Sequence, residues 1–218
     1  MSDSIIIAID GPAAAGKGTI ARALAAHFGC AYLDTGSLYR KTAYLVLKAG
    51  KDPTNDADAL AAAQAISTTE IQDGDLRNQR VADAASLVAA IPDVRADLVE
   101  FQQEFGRNPT DLDGNPAKGA VVDGRDIGTV IFPNAPVKLF ITASAEERAR
   151  RRHLELLDAG KGDSFAEILA EVKIRDARDE ERPISPLIPA ADAHLLDTTD
   201  LSIEAAFEAA RDIVAAAF

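Results

Sequence analysis

One loop of nine residues constrains this chain more than anything else in it. Gly11-Pro-Ala-Ala-Ala-Gly-Lys-Gly-Thr19 lies directly between an apolar run, Ile5–Asp10 (IIIAID), and a stretch with helical character from about Lys17 to Phe28. A β-branched run that is apolar at nearly every position reads as a strand covered on both faces, as in a parallel sheet. The loop matches G-x-x-x-x-G-K through Lys17. Its glycines let backbone amides turn inward and approach phosphate oxygens closely. The helix that follows adds unpaired N–H groups and positive dipole, and Lys17 adds a mobile point charge for β- and γ-phosphates. The spacing therefore assigns Gly11, Pro12, Ala13, Ala14, Ala15, Gly16, Lys17, Gly18 and Thr19 to a polyphosphate cradle.

The rest of the chain alternates strands and helices. Short strands are expected at Ala31–Leu33, Ala120–Asp123, Val137–Thr142 and His194–Asp197. Helices are expected from Ser37 to Lys48, from Pro92 to about Phe105, after Ser144, after Ser164 and after Ser202. Ser144 and Ser164 each have glutamate three residues on, Glu147 and Glu167, which is the pattern of a capping box. Residues 51–118 are alanine-rich and helical in pattern, with a loop at 108–118. This alternation implies a parallel sheet with helices on both faces. A length of 218 residues fits one such domain with a small insert.

Composition excludes several classes. The net charge of −12 disfavours non-specific binding to nucleic acid. No apolar run approaches the roughly 20 residues of a membrane helix, and the N-terminal run lacks the basic segment of a signal peptide. A single cysteine, Cys30, rules out an intramolecular disulfide framework and suits a reducing cytoplasm. His27, His153 and His194 are scattered without metal spacing. The tetrapeptide N-K-x-D of guanine-reading switch proteins is absent, so a small-molecule kinase is the default for this phosphate loop.

Three further segments carry candidate chemistry. Tyr32-Leu-Asp-Thr-Gly-Ser-Leu-Tyr-Arg40 starts at the carboxyl end of a strand, where open parallel sheets bind ligands, and offers Thr35, Gly36, Tyr39 and Arg40. In Ala120-Val-Val-Asp-Gly-Arg-Asp-Ile-Gly-Thr129, a strand ends in Asp123, an acid placed to hold Mg²⁺ through water, followed by Arg125 and Asp126. In Ile174-Arg-Asp-Ala-Arg-Asp-Glu-Glu-Arg182, Arg175, Arg178, Asp179 and Arg182 share one helical face. That face reads either as a solvated surface with an Arg175–Asp179 pair or as a lid that closes over polyphosphate. The arginine run Arg148, Arg150, Arg151 and Arg152 reads as a solvated helix face or as one residue packed near a donor base.

In order along the chain, GPAAAGKGT, YLDTGSLYR, DAASLVAA, VVDGRDIGTVIFP and IRDARDEERPISPLIPAAD resemble the bacterial cytidylate kinases, within the P-loop nucleoside monophosphate kinases. The resemblance implies a three-layer α/β fold with a five-stranded parallel sheet. It implies a core at about 1–35, 119–155 and 190–218, a helical acceptor-binding insert at about 36–118 and an arginine-rich lid at about 156–189. It implies transfer of a phosphoryl group from ATP to CMP and dCMP, with Mg²⁺, by a cytoplasmic monomer. Thr35, Gly36, Tyr39, Arg40, Arg125, Asp126, Arg175, Asp179 and Arg182 would contact the acceptor, with aspartates toward the cytosine amino group and sugar hydroxyls. Lys17, Arg125 and Arg178 would stabilise the transferring group. Gly18 stands where the common loop has Ser or Thr, as in nucleoside monophosphate kinases, which assigns the Mg²⁺-facing hydroxyl to Thr19 beside Asp123. Glu100 and Phe101 replace arginines that some members present to the acceptor, and the insert around 72–80 is short; both bear on acceptor affinity and on the ribose preference. A uridylate, adenylate or shikimate kinase, or a non-catalytic ATP-binding module, remains the competing reading.

Overall fold

In the computed structural model the chain is described over residues 5–66, 69, 71–76, 78–111, 113–158, 160, 162 and 164–217. Positions 1–4, Arg77 within the expected insert, and 159, 161 and 163 within the expected lid lie outside that range. Five strands, β1 (Ile5–Asp10), β2 (Ala31–Asp34), β3 (Gly119–Gly124), β4 (Val137–Thr142) and β5 (His194–Asp197), form one parallel sheet in the order β2-β3-β1-β4-β5. β1 and β3 are neighbours whose outgoing connections run to opposite sides of the sheet, β1 to β2 and β3 to β4. Such a switch point opens a crevice beyond the carboxyl ends of the two strands. The register sets Asp10 beside Gly124, and both Ile9 and Asp34 beside Asp123, so the polar strand ends line up at that crevice.

The helices are α1 (Lys17–Phe28), α2 (Thr35–Lys48), α3 (Asp56–Ala65), α4 (Asp73–Leu76), α5 (Gln79–Val88), α6 (Pro92–Arg107), α7 (Ala145–Asp158), α8 (Phe165–Glu181) and α9 (Ile203–Ala215). One face of the sheet packs on α1 and α9 through Ile7, Ile9, Leu24, Val121, Leu139 and Val214. The other face packs Ala8, Ala120 and Val122 against a π-type turn, Ile127–Ile131, with Val99 and Phe105 of α6 beside it. Helices α2, α3, α5 and α6 enclose a separate core around Ala43, Val46, Ala59, Val88 and Leu98. α7 and α8 pair through Ala149, Leu156 and Ile168. Each fully buried Ile or Leu among these contributes about 1.5–3 kcal/mol of transfer free energy.

Local chemistry explains the boundaries. α2 begins at Thr35 and not at Ser37, because the Asp34 carboxylate caps it by accepting the Ser37 N–H at 3.1 Å. Ser164 and Glu167 form the reciprocal capping box. At Ser144 only half of it forms: the hydroxyl accepts the Glu147 N–H at 3.2 Å, while the Glu147 carboxylate is taken by Arg150 and Arg151 at 2.7 and 2.8 Å.

Candidate active site

The phosphate loop holds left-handed backbone at Gly16 (φ 85°) and at Ala14 (φ 59°), a conformation that costs a residue with a Cβ. A Cβ on Gly11 would overlap the Ile141 carbonyl, so only glycine lets the loop lie this close to β4. Three carbonyls of the loop accept side-chain hydrogen bonds, one from within the loop and two from outside it. Lys17 Nζ donates to Pro12 O at 2.9 Å, Arg148 to Ala13 O at 3.3 Å and Thr198 Oγ1 to Ala15 O at 3.2 Å. A cleft of roughly 540 Å³ opens over the loop, and Thr19, Arg22, Arg151 and Thr198 line it. Arg151 is fixed there by donating to the Thr198 carbonyl at 2.6 Å.

Lys17 is buried, 3.9 Å from Asp123. Burial, with the Arg125 guanidinium adding to it, pulls its pKa down to about 8 against the pull of Asp123, Asp10 and Asp34. Burial also pushes the Asp123 carboxyl up, opposed by Lys17. A Cβ on Gly18 would sit 3.4 Å from Asp123 Oδ2, whereas Thr19 is exposed at the cleft. Position 18, one step before the predicted hydroxyl, is therefore the one that faces Asp123, because successive helical residues point about 100° apart.

Asp10, which the sequence reading did not single out, anchors the second segment. Its two carboxylate oxygens each accept one N–H at 2.8 Å, from Ile127 and from Gly128. This holds the turn after β3 that presents Arg125 and Asp126. Burial pushes the Asp10 pKa up to about 7, above the lowering effect of the two amides. A carboxyl that binds its proton more tightly when folded adds stability in full below about pH 4, and that contribution is lost as the pH rises toward 7. Urea unfolding at pH 5 and pH 8 is expected to show the native chain losing stability relative to Asp10→Asn across that interval. An unchanged difference between the two proteins would contradict the burial effect.

The residues expected on the acceptor side are linked to one another by ion pairs beyond the end of β3. Arg125 donates to Asp179 of α8 at 3.1 Å and to the Gly124 carbonyl at 3.2 Å. Burial works against its charge, but Asp179 and Asp123 outweigh burial and hold its pKa above the ordinary guanidinium value. Asp179 thus pairs with Arg125, and not through a hydrogen bond with Arg175 as the helical spacing suggested. Asp179 also accepts from Ser86 of α5 at 3.4 Å. Arg175 is pushed down to about 10 by burial and by Arg125, and its Nε is buried with no hydrogen-bond partner among the described residues. Asp126 is 5% exposed and pairs with Arg95 of α6, while Arg182 lies 3.9 Å away on its other oxygen. One terminal nitrogen of Arg182 is likewise buried without a hydrogen-bond acceptor among the described residues. Tyr39 is buried under the Arg95 guanidinium, 5.8 Å from ring centre to Cζ.

Other predicted residues stand differently. Thr35 is a buried strut that donates to the Asp123 carbonyl at 2.8 Å. Arg40 pairs with Asp34 at 2.6 Å, and Gly36 leaves room for that pair, since a Cβ there would lie 3.0 Å from both side chains. Arg178 makes no hydrogen bond or ion pair with any described residue and is partly exposed on α8. Glu100 and Phe101 sit on the exposed side of α6; Arg95, one turn earlier, is the arginine of that helix which enters the crevice. Its signal was present in the sequence: Arg95 interrupts the core-facing stripe Ile91, Val94, Leu98. Asp10 similarly ends an otherwise apolar strand. Arg150 and Arg152 are surface residues paired to Glu147 and Glu155, whereas Arg148 is buried.

No helix among the described residues is long and apolar enough to cross a membrane, and no group of three or more His, Cys, Asp or Glu there could by itself hold a metal ion. The sequence profile of the family described as cytidylate kinase matches residues 7–216. The cytidylate kinase of Methylocella silvestris is 52% identical over 213 residues, covering 98% of this chain and 95% of its own. That of Cereibacter sphaeroides is 55% identical over 208 residues, covering 95% and 94%. Among solved structures, an uncharacterized protein from Eubacterium ventriosum superposes with a TM-score of 0.52 at 16% identity, over 98% of this chain and 97% of the other, a likeness of fold.

Proposed function

Because the chain belongs to the cytidylate kinase family, we propose that it transfers the γ-phosphoryl group of ATP to CMP, giving ADP and CDP. The observation that carries the acceptor half is the pair of buried guanidinium nitrogens on Arg175 and Arg182 that have no hydrogen-bond partner among the described residues, on the helix face that carries Asp179. A buried donor left unpaired is costly, so an anion with further polar groups is the partner that completes the crevice.

Two polyanions must meet in line, and their mutual repulsion is the main obstacle. With loop carbonyls held by Arg148 and Thr198, the loop amides are left for the donor phosphates. Lys17, lying between the loop and Asp123, carries charge to the transferring group, and Arg125 and Arg175 take the acceptor phosphate. Arg178, without a partner among the described residues, would reach the transferred group. Asp179 with Ser86, and Asp126 with Arg95 and Arg182, provide paired donors and acceptors for a base edge and a sugar. A buried carboxylate, Asp123, whose Oδ2 lies in ordinary contact distance of the side-chain position that Gly18 leaves bare, fits Mg²⁺, an ion that is held by one or two carboxylates plus substrate phosphates and water. Asp123 would hold it, and the ion would neutralise charge on the phosphates. No general base is needed, since the acceptor phosphate oxygen is already a nucleophile. Closure of α8 over the crevice keeps water from the reaction. The same contacts accommodate dCMP, and a cytoplasmic monomer completes the reading.

The test is ADP release with Mg·ATP across CMP, dCMP, UMP, AMP, GMP and shikimate. Turnover concentrated on CMP and dCMP is expected. Turnover with another acceptor discards the cytidylate reading, and binding of ATP without any turnover turns the chain into a binding module.

A further inference from the structure

Arg148 lies in the first turn of α7, inside a run of arginines of which Arg150 and Arg152 pair with Glu147 and Glu155 and Arg151 lines the cleft, and its side chain is only 6% exposed. Each of its three guanidinium nitrogens donates. Nε donates to the Ala143 carbonyl just beyond β4 at 2.9 Å. One terminal nitrogen donates both to Ala13 O in the phosphate loop at 3.3 Å and to Asp176 Oδ1 at 2.9 Å. The other donates to Asp176 Oδ2 at 2.6 Å. Asp176 is on α8, between Arg175 and the turn that carries Arg178 and Asp179. One planar fork thus spans a sheet end, the donor loop and the acceptor-side helix.

The contact with the loop has a directional consequence. All peptide bonds among the described residues are trans, so a carbonyl and the N–H of the same unit point opposite ways. Holding Ala13 O outward by Arg148 turns the Ala14 N–H the other way, into the loop. Ala14 sits at φ 59°, a conformation an alanine rarely keeps without outside support. Bidentate guanidinium–carboxylate geometry is the type that holds two elements in one register.

We propose that Arg148 and Asp176 are a positioning pair that locks the phosphate loop to α8, so that filling the donor loop and seating the acceptor arginines are energetically linked. The inference rests on the kinase reading above. Linkage is reciprocal, so it is measurable from either ligand. CMP affinity is measured by calorimetry with and without a saturating non-hydrolysable ATP analogue, together with the thermal midpoint of each protein. For the native chain the analogue is expected to tighten CMP binding by about fivefold or more. Asp176→Asn keeps the shape and removes the charge, and it is expected to bring that factor below about twofold. Asp176→Glu, which restores a carboxylate, is expected to recover most of it. A purely structural role would lower the thermal midpoint and leave the factor where it was.

An unchanged factor in a folded Asp176→Asn overturns the inference, as does a native chain whose CMP affinity ignores the analogue. If Asp176→Asn is unfolded at the assay temperature, Arg148→Lys is read by the same criterion, since an ammonium cannot span Ala13, Ala143 and Asp176 together. A native chain that binds no CMP at all overturns the acceptor reading instead, which separates the two failures.

Discussion

Lys17→Met is expected to lower turnover with ATP and CMP by about a thousandfold while the chain stays folded. Lys17 is the only lysine or arginine of the loop itself, and it is already desolvated: its pKa is drawn down to about 8 by burial. A charge held in a water-poor site needs little reorganisation when negative charge spreads over the transferring group. Methionine matches the length of the side chain and keeps its packing. Two changes in stability oppose each other, relief of a buried ammonium and loss of its attraction for Asp123 at 3.9 Å. The thermal midpoint is therefore expected to move little while steady-state kinetics collapse. Turnover near the native level would sink the phosphate-loop assignment, and a large fall in the midpoint would mean that Lys17 is chiefly structural.

The second large effect concerns stability. Asp126→Ala is expected to destabilise the fold by about 3–5 kcal/mol, the cost of breaking a buried pair and leaving charge uncompensated. Asp126 and Arg95 are 5% and 4% exposed, so solvent gives little relief, and Arg182 also loses its nearest carboxylate. The companion variant is Asp126→Leu with Arg95→Met, which removes both charges and keeps volume. It is expected to recover most of the lost stability in urea unfolding, yet not CMP turnover, because the polar groups toward the acceptor are gone. If Asp126→Ala unfolds at the native denaturant concentration, the pair is not what holds α6 against the turn after β3.

These effects fall on residues that the sequence made legible to different degrees. The loop from Gly11 to Thr19 is read directly, because the chemistry is backbone geometry and a helix end, and both are local. β1 and β4 run between the same residues that the apolar pattern marks, since strands inside the sheet are apolar at most positions, and the edge strand β5, exposed at His194, Leu195 and Asp197, also coincides with its expected span. Between residues 51 and 118 the helical character was legible as a class, and α2 and α6 lie close to where the sequence marks them. The separate helices α3, α4 and α5 and the order of packing were not legible, since alanine-rich stretches carry little contrast between faces.

By itself, the sequence determined the strands, the capped helices, the phosphate loop and the list of arginines and aspartates available to a polyanion site. The tertiary structure alone decided which of those charges meet. Arg125 takes Asp179, 54 residues on; Arg95 takes Asp126, 31 on; Asp10 takes the amides of Ile127 and Gly128, 117 and 118 on. A helical face reports only neighbours three and four residues away, so Arg175 and Asp179 look like partners in the sequence. The sheet order brings the ends of β1 and β3 together, and α8, packed on α7 and α5, reaches the turn after β3 through Asp179. In that buried crevice, an ion pair across elements outweighs one along the helix, because desolvation penalises every charge that lacks a close partner.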